Sequence, residues 1–394
     1  MELKQIEIKL IYRIEETEET QKLEEILHLS NHSNESNDFF GDWNYTLECI
    51  NRNTKIELTP PPDAPIGKYI LFVNMIENNE ELHLDDPKEI IILCNPWCKE
   101  DKVYLDSNEE KEEYVLNDES ILWYGELQKK LGRVKRNHKL VDGFLQNEPL
   151  VEEKTWNLGL YEDTMLDTIL YIVQQDYQLR RNEDKIKFNF EHETIAKCNL
   201  QDPVWISRII TSAVNGWGKT GLLKAKWDHC YMAGVDPSVW NDSISIIDKY
   251  NEQNKRAVCF GQCWCYAFLT TTACRVLGIP CRPLACFDSA VHKLKEQRDA
   301  SFVVHRYMGD VNVDVDPKKV WNYHCWNEVY IKGPKFWPNE YDGWSVIDAT
   351  PQNVMQDQAQ CGPAPKKAIL TGQVHSLLQL YFITRHFIQG RHWI

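Results

Sequence analysis

No stretch of these 394 residues is long and apolar enough to cross a bilayer, which excludes a membrane-spanning helix. The opening, MELKQIEIKLIYRIEETEET, lacks the unbroken apolar core of a signal peptide. The 13 cysteines are odd in number and follow no regular spacing, so nothing suggests a disulfide framework. The simplest expectation is a reducing, cytoplasmic setting with mostly buried thiols, unconventional secretion staying open. Basic charge is also short. With 44 Lys and Arg against 59 Asp and Glu the net charge is −15, which speaks against a general polyanion binder and predicts no nucleic-acid partner. At 43% hydrophobic the chain is too apolar for wholesale disorder. No internal repeat is visible.

The deficit of basic charge belongs to one part of the chain. Residues 1–119 hold 29 acidic and 11 basic side chains, whereas residues 120–394 hold 30 and 33. The length fits two domains, and the pattern changes near the same place. Ile6, Ile8, Leu10, Tyr12 and Ile14 alternate with polar residues at the period of a half-buried strand. Strand-like runs around Trp43–Leu47, Lys68–Val73 and Ile90–Leu93 are separated by Pro and Gly turns, predicting an antiparallel sandwich over residues 1–118. The charge-rich stretch from Asp106 to Glu119 reads as a linker or domain edge.

Residues 119–394 form the second predicted domain. Apolar residues from Leu158 to Val173 fall three or four apart, as on one helix face. Asp202-Pro203 places an N-cap before a first-turn proline, opening a helix to Val214. Trp240, Ile244 and Ile247 mark a third helix. A fourth starts near Cys263 and stops at Gly278-Ile279-Pro280. Beyond Val303 the pattern returns to strands, so the expected class is α+β.

Gly261-Gln262-Cys263-Trp264 carries the chemistry. A cysteine in the first turn of a helix sees unpaired N–H groups and the positive end of the dipole, both of which favour thiolate. Gly261 is read as allowing close approach of a substrate. Alone, a cysteine opening an apolar helix is more often core than catalyst, the reading given to Cys265 and Cys274. No second pair at zinc spacing accompanies Cys263-Trp264-Cys265. His324 lies in one strand and Asp348 in the next, joined by a Pro- and Gly-rich loop that lets them pair. A core histidine and a turn cap are the plain alternatives. Together, Cys, then His, then an orienting carboxylate is the order of a papain-like nucleophilic site.

With those residues in view the chain resembles the animal-type transglutaminases. Gly261-Gln262-Cys263-Trp264 with Leu277-Gly278-Ile279-Pro280, Tyr323-His324-Cys325-Trp326, and Gly343-Trp344 through Asp348-Ala349-Thr350-Pro351-Gln352 resemble the family's nucleophile, histidine and aspartate segments. Pro62 to Tyr69, Asn95-Pro96-Trp97-Cys98 and Val103 to Ser107 resemble its N-terminal domain. The resemblance implies an immunoglobulin-like β-sandwich followed by a papain-like catalytic core. It implies a protein-glutamine γ-glutamyltransferase: a Cys263 thioester of a protein glutamine, resolved by a lysine or another primary amine, with His324 as acid and base, Asp348 orienting it, and Trp227 donating to the oxyanion. A deamidase using water, or a catalytically silent scaffold, are the alternatives.

The resemblance also implies calcium, but the usual ligand positions are poorly matched. Asn215 to Gly221 holds a lysine and no carboxylate. Val291-His292-Lys293-Leu294-Lys295 and Phe387-Ile388-Gln389 replace the other two sites. Asp310, Asn312, Asp314 and Asp316 recur every second residue as a weak substitute, without the glycine and closing glutamate of a calcium loop. The family's core continues past Ile394 and two β-barrels follow, so a fragment or a natural short form is expected.

Overall fold

The computed structural model describes residues 5–371 except 16, 18–21, 31–32, 35–38, 51–52, 78–79, 84–85, 137–138, 182–197, 217–220, 291–319, 334–338 and 352–360. The alternating run becomes β1 (Gln5–Ile14), and Ile6, Ile8, Leu10, Tyr12 and Ile14 are all buried. It pairs antiparallel with β2 (Leu23–Ser30) and with β6 (Gly67–Glu77). β3 (Ser33–Asn34) extends the sheet past β2, while β7 (Glu80–His83) and β8 (Lys88–Ile92) both pair with β6. A separate hairpin, β4 (Asn44–Ile50) with β5 (Asn53–Thr59), packs Tyr45, Leu47, Ile56 and Leu58 against the same core. This is the sheet-on-sheet layering that the alternation predicts.

The charge-rich stretch is not an extended linker. Helix α1 (Asn108–Lys111) starts on the Ser107 hydroxyl, which accepts from Glu110 N, and runs into a wider π-turn over Glu112–Leu116 with Val115 buried. Its Tyr114 ring meets Trp344 edge-on at 5.0 Å. A long antiparallel hairpin follows, β9 (Glu119–Arg136) with β10 (Lys139–Asn157).

Helix α2 (Met165–Arg181) begins later than the apolar spacing suggests. Asn157 and Asp118 side chains accept from the backbone of Gly159 and Leu160, which holds residues 157–160 in a turn. Helix α3 (Pro203–Val214) is capped as expected, the Asp202 carboxylate accepting from Val204 N. β11 (Leu223–Ala225) runs parallel to β12 (Val258–Gly261), with α4 (Ile244–Glu252) between them in sequence. Helix α5 (Cys263–Val276) is buried from Cys263 through Arg275. It stops at Gly278, whose φ of +80° and lack of space (a Cβ would stand 2.0 Å from Cys94 O) demand glycine.

An antiparallel sheet closes the described part: β13 (Cys281–Ala290), β14 (Val320–Ile331), β15 (Gly343–Asp348) and β16 (Cys361–Pro365), then α6 (Lys366–Leu370). Helices first and a sheet afterwards make the second segment α+β. One apolar cluster runs from the β1 residues through α2, α3 and α5 to Cys325 and Ile347, so the two segments share a core. Among the described residues no helix is long and apolar enough to cross a membrane.

Candidate active site

Two parallel strands aim the predicted nucleophile and the predicted oxyanion donor the same way. Ala225 and Gly261 are register partners at the ends of β11 and β12. Trp227 and Cys263 each follow two residues later, so they leave the ladder side by side. Lys226 N donates to Gly261 O at 3.3 Å, and the Gln262 amide donates to Lys226 O at 3.0 Å and to the Tyr231 hydroxyl at 2.8 Å. Gly261 is fixed by this packing, not by a substrate: a Cβ there would lie 2.2 Å from Leu223 Cδ2. Trp227 is 42% exposed, against 4% for Cys263.

The sheet brings the other two groups to the helix. Asn327, in β14, donates to Ala267 O and to the Thr271 hydroxyl of α5, both at 2.8 Å, locking strand to helix one turn past Cys263. His324 and Asp348 are both buried, and His324 Nε2 stands 2.8 Å from Asp348 Oδ2. Thr350 N donates to the other oxygen, Oδ1, at 2.8 Å, so both carboxylate oxygens are held. The β15–β16 register shifts between Val346 and Asp348. With Nε2 taken, Nδ1 is the nitrogen left for the thiol.

The electrostatics suit an ion pair. A hydrogen bond from the Cys325 thiol acts most strongly on Cys263; burial opposes it and His324 reinforces it, lowering the Cys263 pKa to about 5. Burial alone would depress the His324 imidazole, but Asp348 and Cys263 more than offset this and raise it to about 9. Cys325 itself is pushed well above the ordinary thiol range by burial and by Cys263. Its sulfur lies 2.9 Å from the Tyr323 hydroxyl. In the sequence Cys325 is one residue of the Tyr323-His324-Cys325-Trp326 motif. Its partnership with Cys263 comes from sheet geometry that a linear sequence does not display.

Among the described residues no group of three or more His, Cys, Asp or Glu side chains is arranged to hold a metal. The Asn215 amide, at the first expected calcium position, is committed to Ala349 O at 2.9 Å. Gly216 N donates to Leu223 O. The described residues there, Asn215, Gly216 and Gly221, supply no carboxylate. Asp310, Asn312, Asp314 and Asp316, together with 291–295 and 387–389, lie outside the described residues.

A buried cysteine opens α5, and a buried His–Asp pair joins the strands packed on that helix. Residues 241–349 match the transglutaminase-like superfamily. The chain is 30% identical over 326 residues to human protein-glutamine gamma-glutamyltransferase 5, covering 82% of this chain and 40% of that protein. It is 32% identical over 332 residues to the human coagulation factor XIII A chain, covering 82% and 39%. The crystal structure of red sea bream transglutaminase superposes with a TM-score of 0.69 at 25% identity, over 94% of this chain and 49% of that one. The chain is therefore a relative of the transglutaminases and carries their core domain. It spans about two fifths of the length of the curated relatives it matches.

Proposed function

We propose that the chain is a protein-glutamine γ-glutamyltransferase. The observation that carries this reading is the buried His324–Asp348 pair at 2.8 Å beside a cysteine whose pKa is lowered to about 5. In the proposed reaction the Cys263 thiolate attacks the side-chain carboxamide of a protein glutamine. The carbonyl oxygen takes up the negative charge, and the Trp227 indole N–H is the proposed donor to it. His324 gives its proton to the departing nitrogen, which leaves as ammonia, and a thioester remains. The now neutral imidazole takes a proton from an incoming lysine amine. That amine displaces the thiolate and forms an isopeptide bond. Asp348 keeps the ring oriented and stabilises its charged state. No step is routed through calcium.

The test is incorporation of a labelled primary amine into a glutamine-rich protein by the wild type and by Cys263→Ala. Uptake by the wild type and none by the variant is expected. Uptake that survives in Cys263→Ala removes the nucleophile. Ammonia release without amine uptake redirects the reading to deamidation, and inactivity of a folded wild type redirects it to a scaffold.

A further inference from the structure

The residue after Cys263 and the residue before His324 share a neighbour. The Tyr124 ring, near the start of β9, meets Trp264 at 5.6 Å and Tyr323 at 5.1 Å, each edge-on. On β10, Trp156 stacks on Phe268 of α5 at 4.7 Å, and its indole donates to Ser243 Oγ. The base of the hairpin is thus rooted on the helix that Cys263 opens and on the strand that holds His324. Alternation along β14 puts Tyr323, Cys325 and Asn327 on one face. Asn327 binds that face to α5 through Ala267 O and the Thr271 hydroxyl. On the same face the Tyr323 hydroxyl lies 2.9 Å from Cys325 Sγ. Tyr323, Cys325 and Cys263 are all buried.

Counting hydrogens gives this contact a direction. A thiol has one hydrogen to donate and a sulfur that accepts. Cys325 has two neighbours that can take its hydrogen, the Tyr323 hydroxyl and the Cys263 sulfur. A thiolate at Cys263 only accepts, so in that state the Cys325 S–H belongs to Cys263. The contact with Tyr323 must then run the other way, with the hydroxyl donating to Cys325 Sγ. Burial, reinforced by Cys325 and Cys263, raises the Tyr323 hydroxyl far above its ordinary value, so it keeps the proton it shares. A donor placed behind a donor polarises it and strengthens its bond, most where water is excluded.

We propose that Tyr323 is a positioning residue for the nucleophile: its hydroxyl donates to Cys325 Sγ and so turns the Cys325 S–H onto the Cys263 sulfur. The inference rests on Cys263 as the nucleophile of the transferase reading and deepens that reading. β14 then serves the sulfur twice, through His324 as a cation and through Tyr323 and Cys325 as a neutral relay. The relay also resets. Once Cys263 is acylated its sulfur is a weak acceptor, and the Cys325 S–H turns back to the Tyr323 oxygen, so the buried thiol keeps a partner in both states. The other titratable and charged groups around Cys263 are His324, Asp348 behind it on β15, Cys265 on α5, and Lys154 and Tyr124 at the hairpin base. Cys265 is pushed up to about 12 by burial, and Cys325 well above the ordinary thiol range by burial and by Cys263. Neither loses a proton across the acid limb of Cys263.

The test is the pH dependence of iodoacetamide alkylation at Cys263, read by mass spectrometry of its own peptide so that other thiols do not count. Tyr323→Phe keeps the ring that packs on Tyr124 and removes only the hydroxyl. Its acid limb is expected to move toward neutral pH, with alkylation about twofold slower near pH 5.5 and a smaller change on the plateau, where Cys263 is ionised in either protein. In the Cys325→Ala background the same replacement is expected to add nothing, because no thiol is left to relay it. In the Cys325→Ser background, which keeps a hydrogen-bonding hydroxyl in place, it is expected to slow alkylation again. A Tyr323→Phe limb that coincides with the wild type overturns the proposal, and a lowered thermal midpoint beside it makes Tyr323 a packing residue. Further slowing in the Cys325→Ala background overturns it as well, because the hydroxyl then acts on Cys263 without the thiol. Amine incorporation is scored separately. A shifted limb in a protein that incorporates no amine upholds the relay and defeats the transferase reading; incorporation by the wild type with an unshifted limb does the reverse.

Discussion

Strand β14 carries two buried ionic clusters, and they are built in opposite ways. His324 and Glu328 stand four residues apart on one face, and both are fully buried. Glu328 is paired twice: Arg282 reaches it at 2.8 Å, and the Lys366 ammonium lies 2.9 and 3.1 Å from its two oxygens. The Arg282 guanidinium in turn lies 3.9 Å from the centroid of the Trp344 ring and 5.5 Å from that of Tyr114. His324 has a single carboxylate, Asp348, and on its other side faces a thiol whose charge it helps to maintain. One cluster surrounds its charge with fixed partners and joins β13, β14 and α6. The other leaves one valence for a group that must change protonation. A buried ion pair serves packing when every partner is permanent, and chemistry when one partner can gain or lose a proton.

Breaking the chemical cluster gives the largest effect on rate. Asp348→Asn keeps the shape but not the charge, and is expected to lower kcat for amine incorporation by about 10³- to 10⁴-fold. A loss of less than tenfold, measured on protein with an unchanged thermal midpoint, would show that Asp348 is a turn cap and not the orienting group. Breaking the other cluster is expected to give the reverse profile. Arg282→Met leaves Glu328 buried with Lys366 alone and uncovers Trp344, which should destabilise the fold by about 3 kcal/mol. Alkylation of Cys263 by iodoacetamide should proceed at the wild-type rate below the unfolding transition. If alkylation slows while the midpoint holds, the two clusters are not separate.

The third test sharpens the comparison through pH. Thiolate is the form that reacts, so with a Cys263 pKa of about 5 the alkylation rate should stay flat through neutral pH and fall only as the pH drops through 5. An ordinary thiol would lose rate already below about 8.5. Amine incorporation has a second limit, because protonated His324 must supply the proton for ammonia. That activity should decline as the pH rises through about 9, where alkylation does not. Cys325→Ala removes the main stabiliser of the thiolate and should move the acid limb toward neutral pH, with a severalfold slower alkylation near pH 5.5. An acid limb that stays in place would assign the lowering to His324 alone.

Much of this was legible in the chain because it rests on local patterns. The alternation in β1, the Asp202-Pro203 cap and the Gly278 stop each depend on a few neighbouring residues. The order Cys263, His324, Asp348 survives in sequence because helix and strands follow one another directly. What was not legible depends on register. The alignment of Trp227 with Cys263 follows from the Ala225–Gly261 pairing of two strands more than thirty residues apart. The influence of Cys325 on Cys263, the anchoring of β14 by Asn327 and the rooting of the hairpin by Tyr124 and Trp156 are contacts across elements. The Asp106–Glu119 stretch, read as a linker or a domain edge, is more ordered than a linker for another reason. Its charges do not display that Ser107 caps a helix there and that Tyr114 meets Trp344 edge-on.

The smallest expected effect concerns calcium, and it contrasts the site with the loop that would control it. Calcium takes six to eight oxygens, several of them carboxylate, at 2.3–2.6 Å. At Asn215–Gly221 the Asn215 amide is spent on Ala349 O, and Asn215 also bridges to Leu223. A Cβ on Gly221 would lie 2.0 Å from Asn215 O, so the backbone already closes on itself. The sequence between adds Lys219, a positive charge that would repel the ion. Lys293 and Lys295 do the same at the second expected position. Adding a chelator should therefore change amine incorporation by less than about twofold, and a calcium titration should not move the thermal midpoint. A tenfold loss of activity on chelation, restored by calcium, would show that the ion is held by residues other than these. It would also show that Cys263, His324 and Asp348 are not poised without it.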